Sequence, residues 1–153
     1  MLGFKRKEGG RLRREFFYLV DPKLRALLLD LANLCHHFWH RDLVVTCLFR
    51  DEAENEAIGG NPNSAHLSGR AADLRVNWIG GDDGYTDKEI DTLIEYVKGV
   101  WGNGYHIICH GEGANRHIHL NVNLAFGSGA GTKFSDLIAM IPNDKPTTSK
   151  PDT

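Results

Sequence analysis

The stretch HIHLNVNLAF, residues 117–126, carries the pattern of a β-strand. His117 and His119 stand two apart. Strand side chains alternate between faces, so both imidazoles point to the same side. Immediately upstream, YHIICH (105–110) reads as a second strand, joined to the first by the glycine-containing GEGANR. Two more strands are expected earlier, the β-branched LVVTCLF (43–49) and the alternating AADLRVNWI (71–79).

Helices fill the intervals. Asp21-Pro22 is a strong start, with a capping carboxylate and proline at the first helical position. Leu24, Leu27, Leu28, Leu31, Leu34, Cys35 and Phe38 then recur at helical spacing, which predicts one amphipathic helix over 22–39. RDEAENEAIGG predicts a short helix or turn ended by Gly59 and Gly60, followed by loop chemistry in NPNS. Thr86 and Glu89 form a capping box that opens a helix stopped by Gly102 and Gly104. FSDLIAMI predicts a short closing helix, and the Pro- and Thr-rich residues 142–153 a disordered tail. Strands and helices in this order predict an α+β fold, a small, mostly antiparallel sheet with the helices packed on one side.

The chain has 153 residues, the size of one domain with a real core. Its net charge of −2 does not point to nucleic acid, and no apolar run approaches the roughly 20 residues that span a bilayer. The basic N-terminus lacks the apolar segment of a signal peptide, so synthesis in the cytoplasm is expected. Six Lys or Arg against two Glu in the first fifteen residues suggest a solvated basic arm over 1–19 that can touch phosphate or an anionic wall polymer. Cys35, Cys47 and Cys109 are odd in number and lack Cys-x-x-Cys spacing, so buried free thiols are expected.

Eight histidines are many for this length, and they cluster. His66 precedes the turn at Gly69, and Asp73 opens the strand after it. Gly69 and Ala72 are small enough to bring both side chains onto one centre. Together with His117 and His119 they supply imidazole and carboxylate donors suited to a catalytic Zn²⁺ with an open position for water. Each piece alone has a bland reading as a polar strand face or turn. His36, His37 and His40 read better as a polar helix face than as a metal site. His106 shares a strand face with His110, and Asp82 and Asp83 lie in a turn without EF-hand spacing.

The segment VTCLFRDEAENEAIGGNPNSAHLSGRAADLRV, followed by HIHL, resembles the zinc D-Ala-D-Ala carboxypeptidase and phage L-alanyl-D-glutamate endopeptidase family. Its superfamily includes the Hedgehog signalling domain. Arg50, Asn55, Gly59, Gly60, Ser64, His66, Gly69, Asp73 and His119 match the family pattern, over roughly residues 20–126. The resemblance implies a Hedgehog-like fold, a zinc peptidase domain over 20–141, and His66, Asp73 and His119 as Zn²⁺ ligands. It implies that Arg50 steers the substrate near the scissile bond, with Ser64 beside it. It also implies that His117 lies next to the metal and supports the transition state.

The sequence departs from the family at the general base. Relatives carry Glu or Asp a few residues before the final ligand, whereas Arg116 stands three before His119 and Ala114 three before His117. Glu112 is the preferred candidate. His110, which a gapless reading of the preceding strand places where some relatives have Glu, and His117 are its rivals.

The expected function is hydrolysis of a peptide bond in peptidoglycan stem peptides or cross-links, by a carboxypeptidase or an endopeptidase. A phage endolysin reaching the cell wall through a pore fits the missing leader. The alternative is an inactive zinc-binding peptidase-like module of a phage particle. A non-haem iron site is disfavoured, because such sites draw on a His-x-Asp or His-x-Glu pair rather than on residues seven apart.

Overall fold

A computed structural model describes residues 1–77 and 84–123. Five strands form one sheet, β1 (Leu2–Phe4), β2 (Leu43–Cys47), β3 (Ala71–Arg75), β4 (Tyr105–His110) and β5 (His117–Val122), in the order β1-β2-β3-β5-β4. The β1–β2 pairing is parallel, and the other three are antiparallel. Among the described residues four α-helices accompany them, α1 (Gly9–Tyr18), α2 (Pro22–Trp39), α3 (Glu52–Ala57) and α4 (Asp87–Tyr96). The architecture is the α+β one expected.

Helix ends follow the capping chemistry of the sequence. The Asp21 carboxylate accepts from the Lys23 N–H at 2.9 Å, and the Thr86 hydroxyl accepts from the Glu89 N–H at 3.2 Å. Helix α2 closes on His40, which takes the left-handed conformation at φ 53°. Helix α4 runs on through a π-helical turn at Val97–Trp101 and stops at Gly102, φ 82°. Asp30 of α2 ties this end down, accepting from the Tyr96 hydroxyl at 2.7 Å and from the Trp101 indole N–H at 2.8 Å.

The sheet has two unlike faces. Ala72, Leu74, Ile107, Ile118, Leu120 and Val122 are buried in one core with Leu12 and Phe16 of α1, with the Leu24–Leu31 stripe of α2, and with Ile90 and Leu93 of α4. In the β3–β5 ladder Asp73 pairs with His119 and Arg75 with His117. In the β4–β5 ladder His110 pairs with His117 and Ile108 with His119. Cross-strand partners share a face, so these side chains stand together on the side opposite the core.

Three expectations need correction. The first nineteen residues are not a solvated arm. Residues 2–4 pair with β2, and α1 buries Leu12 and Phe16, while the basic residues Arg13 and Arg14 stay exposed. Strand β2 is shorter than expected. Its register shifts between Val45 and Cys47, and the Leu48 carbonyl turns to accept from a histidine. Of the three free cysteines Cys35 is buried, whereas Cys47 and Cys109 are half-buried. The Asp82–Asp83 turn, the far ends of two expected strands (78–79 and 124–126), the closing helix and the tail lie outside the described residues. No described helix is long and apolar enough to cross a membrane.

Candidate metal centre

The site begins with a turn. Ser64 caps the short 3₁₀ segment Ala65–Ser68, its hydroxyl accepting from the His66 N–H at 3.3 Å. Gly69 ends the segment at φ 66°, a conformation that costs glycine nothing, and the chain enters β3. This reversal is what lets His66 and Asp73, seven apart in sequence, meet.

The His66 ring is 1% exposed. Its Nδ1–H donates to the Leu48 carbonyl at 2.7 Å, which fixes the tautomer and leaves Nε2 facing Asp73 Oδ1 at 3.2 Å. From the other side, His119 Nδ1 lies 3.0 Å from the same oxygen, and His117 Nε2 is 3.8 Å away. The Arg50 guanidinium is 3.9 Å from Asp73 Oδ2.

Three imidazoles and a guanidinium therefore converge on one carboxylate. Burial alone raises the Asp73 carboxyl, but hydrogen bonds from His119 and His66 outweigh it and hold the group well below the ordinary carboxylate range. For His66 burial works the other way. The bond to Asp73, helped by Cys47, overcomes it and lifts the imidazole to about 9. Two neutral nitrogens and one anionic oxygen, with one imidazole oriented by a backbone carbonyl, suit zinc in a site that keeps an open position. The expected ligands His66, Asp73 and His119 are brought together.

Cys47 is the residue the sequence reading missed. Its donor atom lies within 4.8 Å of those of His66 and Asp73. Its sulfur, however, is 3.8 Å from Nδ1 of His66, the nitrogen already committed to Leu48. Asp73 faces the free nitrogen of His66, Cys47 faces the nitrogen committed to Leu48, and His119 reaches the shared oxygen of Asp73. No local signal was available, because Cys47 comes to stand across from Asp73 only through strand pairing.

Around this centre lies a cleft of about 480 Å³. His110, His117, His119, Ile108, Ser64 and Arg50 are among its lining. The His110 ring stacks at a tilt on His117, centroids 4.2 Å apart, and lies 6.2 Å from that of His119. Partial burial and the neighbouring imidazoles lower the affinity of His110 for its proton. His117 is anchored by its Nδ1–H, which donates to the Asn115 carbonyl at 2.8 Å.

Glu112 is placed otherwise. It is exposed at the start of the Gly113–Asn115 turn and is not part of the cleft lining. Arg116 turns outward to pair with Asp87 at 2.6 Å. His106 is exposed on β4. His36 and His40 make an edge-to-face pair at the end of α2, 6.2 Å between centroids, as exposed side chains apart from the cleft.

Arg50 has its own holder. Asn55, 3% exposed, accepts from the Arg50 guanidinium at 3.2 Å and donates to the Asn61 carbonyl at 2.9 Å. A side chain at position 60 would overlap the Asn55 amide oxygen, and Gly59 sits at φ 68°. The Asn and the glycine pair therefore form one device that aims Arg50 at Asp73.

A family model described as Peptidase M15 matches residues 14–121, well over half of the chain. The match starts inside α1 and ends within β5. The chain has no significant match among curated proteins or among solved structures.

Proposed function

This chain belongs to the peptidase M15 family, and we propose that it is a zinc-dependent peptidase acting on a peptide bond of peptidoglycan stem peptides or their cross-links. The observation that carries the reading is the convergence of His66 Nε2 and His119 Nδ1 on Asp73 Oδ1 at one wall of an open cleft. A zinc ion held by these three residues supplies Lewis-acid polarisation of the scissile carbonyl and activation of a water.

The chain's own residues do the rest. His110 stands beside the centre with a lowered proton affinity, so its imidazole is free at neutral pH to take the proton of the attacking water. The same nitrogen then returns that proton to the leaving amine. His117, held by Asn115 with its Nε2 3.8 Å from Asp73, stands beside the centre and supports the oxyanion. Arg50, aimed by Asn55, orients the substrate, and Ser64 holds the turn that presents His66. His110 replaces Glu112 as the preferred base, because it lines the cleft and Glu112 does not.

One observation favours a second reading. Asp73 is the one carboxylate among the described lining residues, which leaves no acidic base beside the proposed ligands. An inactive zinc-binding module of a phage particle would look the same. Digestion of purified peptidoglycan, followed by mass spectrometry of the muropeptides, decides between them. New amines that disappear with chelator and return with zinc are expected, and the masses identify the bond. Zinc bound at one equivalent without chelator-sensitive release establishes the inactive module. Action at the cell wall after release through a phage-type pore belongs to the enzyme reading.

A further inference from the structure

The cleft extends past the candidate centre to a second guanidinium. Arg70 immediately precedes β3 and is 8% exposed, yet it lines the cleft together with Asn121 and Asn123. Its position is fixed by its own bonds. Nε–H donates to the Ser68 hydroxyl at 2.8 Å and an Nη1–H to the Val122 carbonyl at 2.7 Å, while the Val122 N–H donates to the Arg70 carbonyl at 2.9 Å. Both side-chain partners are neutral. Burial lowers the proton affinity of the guanidinium, and the charge of Asp21 offsets this only in part. An arginine stays charged even so.

A desolvated cation held open to a groove is an arrangement for binding an anion, because the fork of an arginine matches a carboxylate with two parallel N–H donors. The rest of the groove agrees. Among its described lining residues the charged groups are Arg50, Arg70 and Asp73, and a bound zinc ion would neutralise Asp73. What remains is two guanidiniums among the amides of Asn61, Asn63, Asn121 and Asn123. That surface suits a peptide backbone carrying negative charge.

We propose that Arg70 is a substrate anchor that recognises a carboxylate of the bound peptide. The proposal rests on the peptidase reading for the location of the bond cut. Arg70 is three residues from Asp73 along the strand, about 10 Å at the usual rise per residue. An extended peptide covers about 3.5 Å per residue, so the carboxylate lies about two or three residues from the scissile bond. In a stem peptide such a group is either the free C-terminus or the side-chain carboxylate of an acidic residue.

Four forms of the stem pentapeptide separate these sources: the parent, one with the glutamate carboxylate amidated, one with the C-terminus amidated, and one with both. Each is titrated into the zinc-loaded full chain by NMR in the cold, with turnover followed in parallel by mass spectrometry. One of the two single amidations is expected to weaken binding about tenfold or more, the weight of a charge-assisted hydrogen bond. The same amidation should change binding less than about twofold in Arg70→Gln. Arg70→Lys, which keeps the charge and loses the fork, should fall between.

The proposal is overturned if neither amidation weakens wild-type binding, or if Arg70→Gln discriminates as the wild type does. Should Arg70→Gln fail to fold, unchanged discrimination in Arg70→Lys overturns it equally. Turnover without discrimination sinks the anchor and leaves the peptidase. Discrimination without turnover does the reverse.

Discussion

On one face of the sheet Leu74, Ile118, Leu120 and Ile107 are shut away from solvent, and on the other Asp73, His119, His117 and His110 line a cleft. The two sets interleave residue by residue along the same strands. The covered face is held by apolar burial, which is non-directional and tolerates changes of shape that keep volume. The open face is held by a few directed bonds to one carboxylate, where a single atom matters. Neighbouring residues on one strand should therefore fail in different ways.

The sharpest break is expected at Asp73. Asp73→Ala should lower zinc affinity on the order of a thousandfold and remove turnover, since it takes away the anion on which the imidazoles converge. Zinc stoichiometry after dialysis checks this, and full retention of zinc would move the site elsewhere. Next comes His110→Gln, which should keep zinc and lose about 10²–10⁴ in turnover, the range for a positioned acid–base group. Glu112→Gln should leave turnover within about twofold, whereas a collapse there together with a normal His110→Gln would return the role to Glu112.

On the covered face the expected loss is one of stability. Leu74→Ala, one residue from Asp73, should cost about 2–5 kcal/mol in denaturant unfolding, with zinc still bound below the transition. The smaller effect on stability tests an exception to the apolar rule. Glu15 of α1 is buried, with Arg11 4.0 Å from one oxygen and no hydrogen-bond partner for the other among the described residues. Burial pushes its carboxyl up to about 7, against relief from Arg11.

Because the folded form holds that proton more tightly than the unfolded chain, the contribution of Glu15 to stability should be fully present below about pH 4.5 and be lost as pH rises to about 7. The loss is at most about 3 kcal/mol by linkage. Glu15→Gln should flatten that part of the melting profile, and an equally steep profile in the variant would place the titration elsewhere.

Much of the covered face could be read directly from residue pattern. The Asp21-Pro22 start and the leucine spacing after it locate α2 because they are local signals, and so is the Thr86 cap of α4. The candidate ligands were legible from the His-x-His alternation and from the family resemblance of the His66–Asp73 turn. What could not be read is long-range. That β3 lies beside β5, with Asp73 opposite His119, is set by pairing across 46 residues of chain, which no local pattern encodes. The N-terminus was misjudged because its charges conceal a two-residue apolar stripe, Leu12 and Phe16, whose burial depends on α2 and the sheet. Arg70 and Cys47 carry no motif, and only the folded chain shows what they border.

The Asp73–His119 register has a consequence for how this molecule can vary. Sliding β5 by one residue against β3 would carry Ile118 and Leu120 to the open side and drive both histidines into the core. The insertion or loss of one residue inside either strand would therefore exchange centre and core in a single step. Length changes can be absorbed only between the strands, so the ladder serves as a fixed ruler. While the ruler holds, the spacing of Asp73 and His119 holds, whatever happens in the loops.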